Sequence, residues 1–198
     1  MTTIGLTGGL GAGKTTVLAM FKKLGARVCG ADDLVHRELK TNSGLKKKIF
    51  EIFGADVFQR GRIQRHLLAN KVFHNKKDLK RLNALIHPLV KKRLFAWLKA
   101  GSCRSIAVAE VPLLFEAGFD KFFDVTIGVA TDPKILKGRL LKNPRLDRKD
   151  VFARMREQLP ADKKIRRCDF VIDNSGDRKQ TFNRVKKIME EKKWKNWK

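Results

Sequence analysis

The stretch GLTGGLGAGKTT, Gly5 to Thr16, constrains this chain more than any other. Within it Gly8, four intervening residues, Gly13, Lys14 and Thr15 satisfy G-x-x-x-x-G-K-[ST], the spacing of a phosphate-binding loop. The context agrees with the pattern. TTIGL ahead of it is a short apolar run of strand type, and TTVLAMFKKLG behind it carries apolar residues at helical spacing and ends in glycine. A strand that turns through glycines into a helix lets successive backbone N–H groups point at one anion, with the positive end of the helix dipole behind them. That chemistry assigns Gly8, Gly9, Gly11, Ala12, Gly13, Lys14, Thr15 and Thr16 to the phosphates of ATP. Lys14 would reach the phosphoryl group that is transferred, and the Thr15 hydroxyl would bind Mg²⁺. A glycine-rich turn that binds nothing is the alternative. A dinucleotide fingerprint G-x-G-x-x-G fails, because Gly9 and Gly11 would need a third glycine where Lys14 stands.

Strand and helix signals alternate through the rest of the chain. ARVCG is a second short strand, and the next, SIAVAE at Ser105 to Glu110, follows only after a long interval of helical period: GLKKKIFEIFG, QRHLLANKVF and KDLKRLNALIHPLVKKRLFAWLKA. Pro88, inside the last of these, is expected to break or kink its helix at His87. FDVTIGVA and DFVIDN are further strands, and DPKILKGRLLK, KDVFARMREQL and a final basic segment are helices. Strands separated by helices argue for a parallel sheet covered on both faces, with a mostly helical insertion between two of its strands.

Composition narrows the classes. With 198 residues and 42% apolar content the chain can bury a real core. No run approaches the ~18 to 20 apolar residues of a membrane helix, and no signal peptide is evident at the N-terminus, so the expected location is the cytoplasm. Cys29, Cys103 and Cys168 are odd in number and far apart, which suits buried small hydrophobes rather than disulfides or zinc ligands. The balance of 45 Lys and Arg against 20 Asp and Glu, +25 overall, draws polyanions of any kind. The basic residues are dispersed, as on a generally basic solvated surface, rather than gathered as in a nucleic-acid groove.

Several functions fit a phosphate loop. A regulatory GTPase needs an N-K-x-D to read its base, and none is present. A helicase or motor needs a longer chain. The size, the helical insertion and a basic, lid-like stretch point to a small-molecule kinase whose second substrate sits between the core and a mobile helical part. IGLTGGLGAGKTT, ADDLVHR, LNALIHPLV, VPLLFEAGFD and CDFVIDNSG occur in the order and spacing seen in dephospho-coenzyme A kinases, and the chain resembles that family to about Lys187. The resemblance implies a three-layer α/β/α P-loop fold with a five-stranded parallel core. On that basis the core comprises 1–40, 104–142 and 160–198, the helical substrate-binding insertion 41–103 and the lid 143–159. It also implies transfer of the ATP γ-phosphate to the ribose 3′-hydroxyl of dephospho-coenzyme A, with Mg²⁺. Two other functions fit the same residues: a kinase of another small molecule or nucleotide, and a basic, nucleic-acid-binding P-loop ATPase.

The resemblance also assigns residues. Asp32 matches the family's general base toward the acceptor hydroxyl; on its own it would read as the N-cap of DLVHREL. Members usually carry D-A-D here, whereas this chain has Gly30-Ala31-Asp32 and then Asp33, so the first carboxylate is missing. Arg139 matches an arginine near the lid that neutralises charge on the transferring phosphoryl group. Where the family often has a second arginine this chain has Asn143, with Arg145 and Arg148 close by. His87 and Pro88 match a motif on the acceptor side, the alternative being a structural histidine beside a helix-breaking proline. Glu110 and Glu116 stand where a parallel sheet presents its carboxyl end, and either assists Mg²⁺ through water or only fixes a loop. Trp194 and Trp197, three apart among lysines, share a helical face and are expected to dock on the protein itself, the alternative being contact with a membrane surface.

Overall fold

The computed structural model describes residues 1–73, 75–101, 106–142 and 158–190. Most of the lid-like stretch, with Asn143, Arg145 and Arg148, lies outside the described residues, as do Cys103, Trp194 and Trp197. In chain order the elements are β1 (Thr2–Gly8), α1 (Lys14–Lys23), β2 (Arg27–Gly30), α2 (Ala31–Thr41), α3 (Ser43–Phe53), β3 (Phe58–Gln59), β4 (Arg62–Ile63), α4 (Arg65–Phe73) and α5 (Lys76–Lys99). They continue with β5 (Ile106–Glu110), β6 (Val125–Ala130), α6 (Pro133–Leu141), α7 (Ala161–Arg166), β7 (Phe170–Asp173) and α8 (Arg178–Glu190).

β1 is buried from Thr3 to Gly8, as a strand must be when both its faces are covered. It occupies the centre of a five-stranded sheet ordered β2-β5-β1-β6-β7, in which every pairing is parallel. This is the expected architecture. Side chains alternate across the strands, so Ile4, Leu6, Ile127 and Val129 enter one core with Val17 and Phe21 of α1 and Val185 and Ile188 of α8. Gly5 and Gly128 look to the other face, where Phe123 and Leu114 lie against Gly5 and Ile165 of α7 against Gly128. Cys29 and Cys168 form no disulfide, and both are partly exposed rather than fully buried as expected. No described helix is long and apolar enough to cross a membrane.

The chain divides into two compact units, Met1–Gly30 with Trp97–Lys198, and Ala31–Ala96. The second begins at Ala31, within the stretch read from sequence as core. It is not purely helical: β3 and β4 pair as an antiparallel hairpin through Arg60 (φ 49°) and Gly61 (φ 70°), an arrangement the helical reading missed. Two-residue strands are too short to leave a periodic signal, and the tight two-residue turn carries the information instead. Within this unit Glu38 is 1% exposed, yet it accepts hydrogen bonds from Asn42 Nδ2 at 2.7 Å and Arg93 Nε at 2.6 Å. Burial raises the Glu38 pKa, but these two partners outweigh it and hold the carboxyl below its ordinary value.

Pro88 does not break its helix. α5 runs through it from Lys76 to Lys99. The ring removes the N–H that would bond the Ala84 carbonyl, at a cost of about 3 kcal/mol. Against that, Leu79, Leu82, Ile86, Val90, Leu94 and Leu98 form one continuous buried stripe at helical spacing. Each buried leucine-sized side chain contributes about 1.5–3 kcal/mol, so the stripe outweighs the single lost bond several-fold.

Candidate active site

The glycine loop runs from the end of β1 into α1, where the sequence placed it. Gly13 precedes α1 with φ 88° and ψ 27°, a left-handed conformation, and a Cβ there would overlap Asn174 Nδ2. Both backbone and packing therefore require glycine at this position. α1 has no side-chain cap and no acidic residue in its first turn, which leaves its N-terminal donors and dipole for an anion. Lys14, 8% exposed, folds back and donates from Nζ to the Gly9 carbonyl at 2.9 Å and the Gly8 carbonyl at 3.2 Å. Its ammonium is thus held inside the loop.

The loop is also clamped from outside. Asn174 Nδ2 donates to the Ala12 carbonyl at 2.8 Å, and Thr131 Oγ1 donates to the same oxygen at 3.0 Å. Thr181 Oγ1 in turn donates to Asn174 Oδ1 at 3.0 Å, so the amide cannot turn away. Arg139, partly buried on α6, donates to the Asn174 carbonyl at 2.9 Å and to Thr131 Oγ1 at 3.4 Å. A Cβ on Gly13 would stand 3.7 Å from Arg139 Nη1, so this guanidinium lies beside the loop. Asn174, Thr131 and Thr181 were not singled out from sequence. CDFVIDNSG contains Asn174, but no sequence pattern connects it to a carbonyl 162 positions earlier.

Thr15 points to the sheet. Its hydroxyl donates to the Glu110 carboxylate, 3.1 and 3.3 Å from the two oxygens, at the carboxyl end of β5. Gly30 pairs in register with Glu110 across β2 and β5, so the position of the missing carboxylate lies beside this glutamate. Glu116 has a different occupation. It forms an ion pair with Lys164 and accepts the Leu159 N–H at 2.8 Å, which makes it a residue that fixes a loop.

Asp32, Asp33, His87 and Pro88 belong to the second unit. Asp32 and Asp33 are exposed in the first turn of α2, so Asp32 is inside the helix and not its N-cap. The reason is that β2 passes into α2 without a loop. His87 is half-buried on α5, and burial, with the Lys91 charge one turn on, holds its pKa below the ordinary value. The folded chain therefore prefers neutral imidazole, while the unfolded chain takes up a proton near pH 6.5. Stability contributed by His87 is complete above that pH and is lost below it. Thermal melts should accordingly show Tm falling from pH 7 to pH 5, and falling less in His87→Gln. Glu38 and Asp56 titrate from ordinary values of 4.5 and 3.8 downward, which leaves this window to histidine. An equal slope in the variant would contradict the assignment.

Comparison with known proteins places the molecule. A family model described as dephospho-CoA kinase matches residues 2–180. The chain is 37% identical over 193 residues to a dephospho-CoA kinase of Syntrophotalea carbinolica, covering 96% of this chain and 91% of that one. A crystal structure of a Thermus thermophilus protein superposes with a TM-score of 0.80 at 31% identity, covering 96% and 97% of the two chains. The fold is also that of a dephospho-CoA kinase from Campylobacter jejuni, with a TM-score of 0.72 at 24% identity and 96% of each chain covered.

Proposed function

Because this chain belongs to the dephospho-CoA kinase family, which phosphorylates dephospho-CoA with ATP to give CoA, we propose how its own residues divide the work of that reaction. The phosphate loop, Gly8 to Thr16, holds the ATP phosphates through backbone N–H groups, and Lys14 supplies positive charge to the transferring phosphoryl group. The observation that carries this reading is Lys14 itself. A buried ammonium is turned into the loop at 2.9 Å from the Gly9 carbonyl, ahead of an uncapped helix. Arg139, pinned beside Gly13, adds charge from the α6 side.

Thr15 and Glu110 suit Mg²⁺, since a hydroxyl and a carboxylate are the hard oxygen donors it takes. No group of three or more Asp, Glu, His or Cys residues among the described residues is placed to hold a metal, which fits an ion held mainly by the nucleotide and water. When bound, Mg²⁺ neutralises charge on the β- and γ-phosphates. Asp32 accepts the proton of the ribose 3′-hydroxyl as its oxygen attacks the γ-phosphorus in line, with ADP leaving on the opposite side. His87 and Pro88 serve the acceptor side. The +25 charge gathers two polyanionic substrates.

Incubation with Mg-ATP and dephospho-CoA, followed by mass spectrometry and phosphorus NMR of the product, tests the reading. A product heavier by one phosphate, carried on the 3′-oxygen, is expected. Phosphate on another hydroxyl would overturn the placement of the acceptor, and ADP release driven by nucleic acid would overturn the reaction.

The missing carboxylate gives a second test. In Gly30→Asp a side chain would stand in register with Glu110 and on the same side of the sheet. A carboxylate near a cation in a hydrated site is worth about 1 kcal/mol, so the Mg²⁺ concentration for half-maximal rate should fall about fivefold. An unchanged Mg²⁺ dependence would show that this position does not face the ion.

A further inference from the structure

Lys164 has no exposed side-chain surface. Removing an ammonium from water costs several kcal/mol unless strong partners replace it, and here two hydrogen-bond acceptors and one carboxylate surround it. Nζ lies 2.9 Å from Glu116 Oε1, 2.6 Å from the Pro112 carbonyl and 3.3 Å from Gln158 Oε1. The acceptors lead in two directions. The Pro112 carbonyl also accepts from Thr7 Oγ1 at 3.4 Å, and Thr7 is a fully buried residue immediately before Gly8. Glu116 Oε1 also accepts the N–H of Leu159, two residues ahead of α7. One buried cation thus joins α7, the segment after β5 and the strand that enters the phosphate loop.

The first residue of α7 touches the loop. A Cβ on Gly9 would be 3.3 Å from the Cβ of Ala161, so α7 is seated against the loop backbone at that glycine. Further along, Ile165 is packed over Gly128 of β6, which gives the same helix a second seat on the sheet. With only six residues, α7 has too few hydrogen bonds of its own to hold a fixed position. Its placement depends on what it is tied to, and Lys164 is its buried tie.

We propose that the Lys164–Glu116 ion pair is a positioning device for the phosphate loop: it seats α7 on Gly9 and so fixes the backbone N–H groups that hold ATP. This rests on the reading that the loop binds ATP. The role assigned to both side chains is exerted through the loop backbone and not by contact with the nucleotide. An apolar pair of similar volume would serve stability about as well, because a buried ion pair gains little net free energy over hydrophobic packing. What the ion pair adds is direction, since two hydrogen bonds and one charged contact converging on a single ammonium restrict the placement of the helix.

The test separates position from stability. Lys164→Met or Glu116→Leu alone strands a buried charge, and both single variants should melt well below the parent. The double variant Lys164→Met/Glu116→Leu removes both charges and should recover most of the Tm. Its KM for ATP should nevertheless rise about tenfold, with KM for dephospho-CoA changed less than about twofold. A double variant with the parent's KM for ATP would overturn the proposal, and so would a parallel rise in both KM values. Ala161→Leu gives the answer independently of folding, because Ala161 is exposed and the ion pair stays intact. Added bulk against Gly9 should raise KM for ATP selectively, and no change would also overturn the proposal. Lys14→Met serves as the control. Unchanged ATP binding there would refute the loop reading itself, whereas loss of ATP binding there without an effect in the Lys164 and Glu116 double variant would refute only the positioning role.

Discussion

Asp32→Asn should lower kcat for phosphoryl transfer to dephospho-CoA by about 10²- to 10⁴-fold, the loss typical of removing a positioned general base. The substitution keeps the shape of the side chain and removes only its capacity to accept a proton. KM for ATP should therefore change less than about twofold, since the proposed reading gives the phosphates to the glycine loop. The fold should tolerate it too. Asp32 is exposed in the first turn of α2, two residues beyond the end of β2, and the buried residues of that helix are Ala31, Leu34, Glu38 and Leu39. Parallel sheets place their ligands beyond the carboxyl ends of their strands, and Asp32 follows such an end. Steady-state kinetics in both substrates, with Tm as the control for folding, decides the matter. A variant within about threefold of the parent in kcat would remove Asp32 from the chemistry and direct attention to Asp33.

Lys14→Met should reduce kcat/KM for ATP by about 10³-fold, in line with the loss of a charge aimed at a developing phosphoryl transition state. Methionine keeps most of the length of the lysine stem without its charge. The Gly8 and Gly9 carbonyls lose the donor they now share, a loss of about 1.5–3 kcal/mol per bond to a charged group, so some fall in Tm is expected as well. ATP added in excess should stabilise the parent against heat and leave the variant almost unaffected. Equal stabilisation of both by ATP would overturn the reading that this loop holds the ATP phosphates.

The phosphate loop was legible from its residues because everything that defines it is local. Positive φ at Gly11 and Gly13, a helix opening without a cap, and a lysine at the first helical position are properties of a few consecutive residues. The strands were legible for a related reason: burial on both faces leaves short, mostly apolar runs such as VTIGVA of β6. Pro88 shows where local rules stop. A proline that breaks an isolated helix is carried through α5 by six buried aliphatic residues on one stripe, and that burial is a property of the folded unit. The hairpin at Phe58 to Ile63 escaped for the opposite reason, being too short to show a period.

The sequence by itself determined the glycine loop and its lysine, the parallel α/β class and, by resemblance, the family. Only the tertiary structure decided which distant groups serve that loop. β5 follows β2 by some 75 residues, yet it lies between β2 and β1, and this is what brings Glu110 to Thr15. Asn174, just past β7 on the opposite side of β1, reaches Ala12, and Lys164 of α7 reaches Glu116 beyond β5. The physical reason is that hydrogen bonds and ion pairs depend on separations of about 3 Å in space, and no spacing along a chain records which strands will become neighbours.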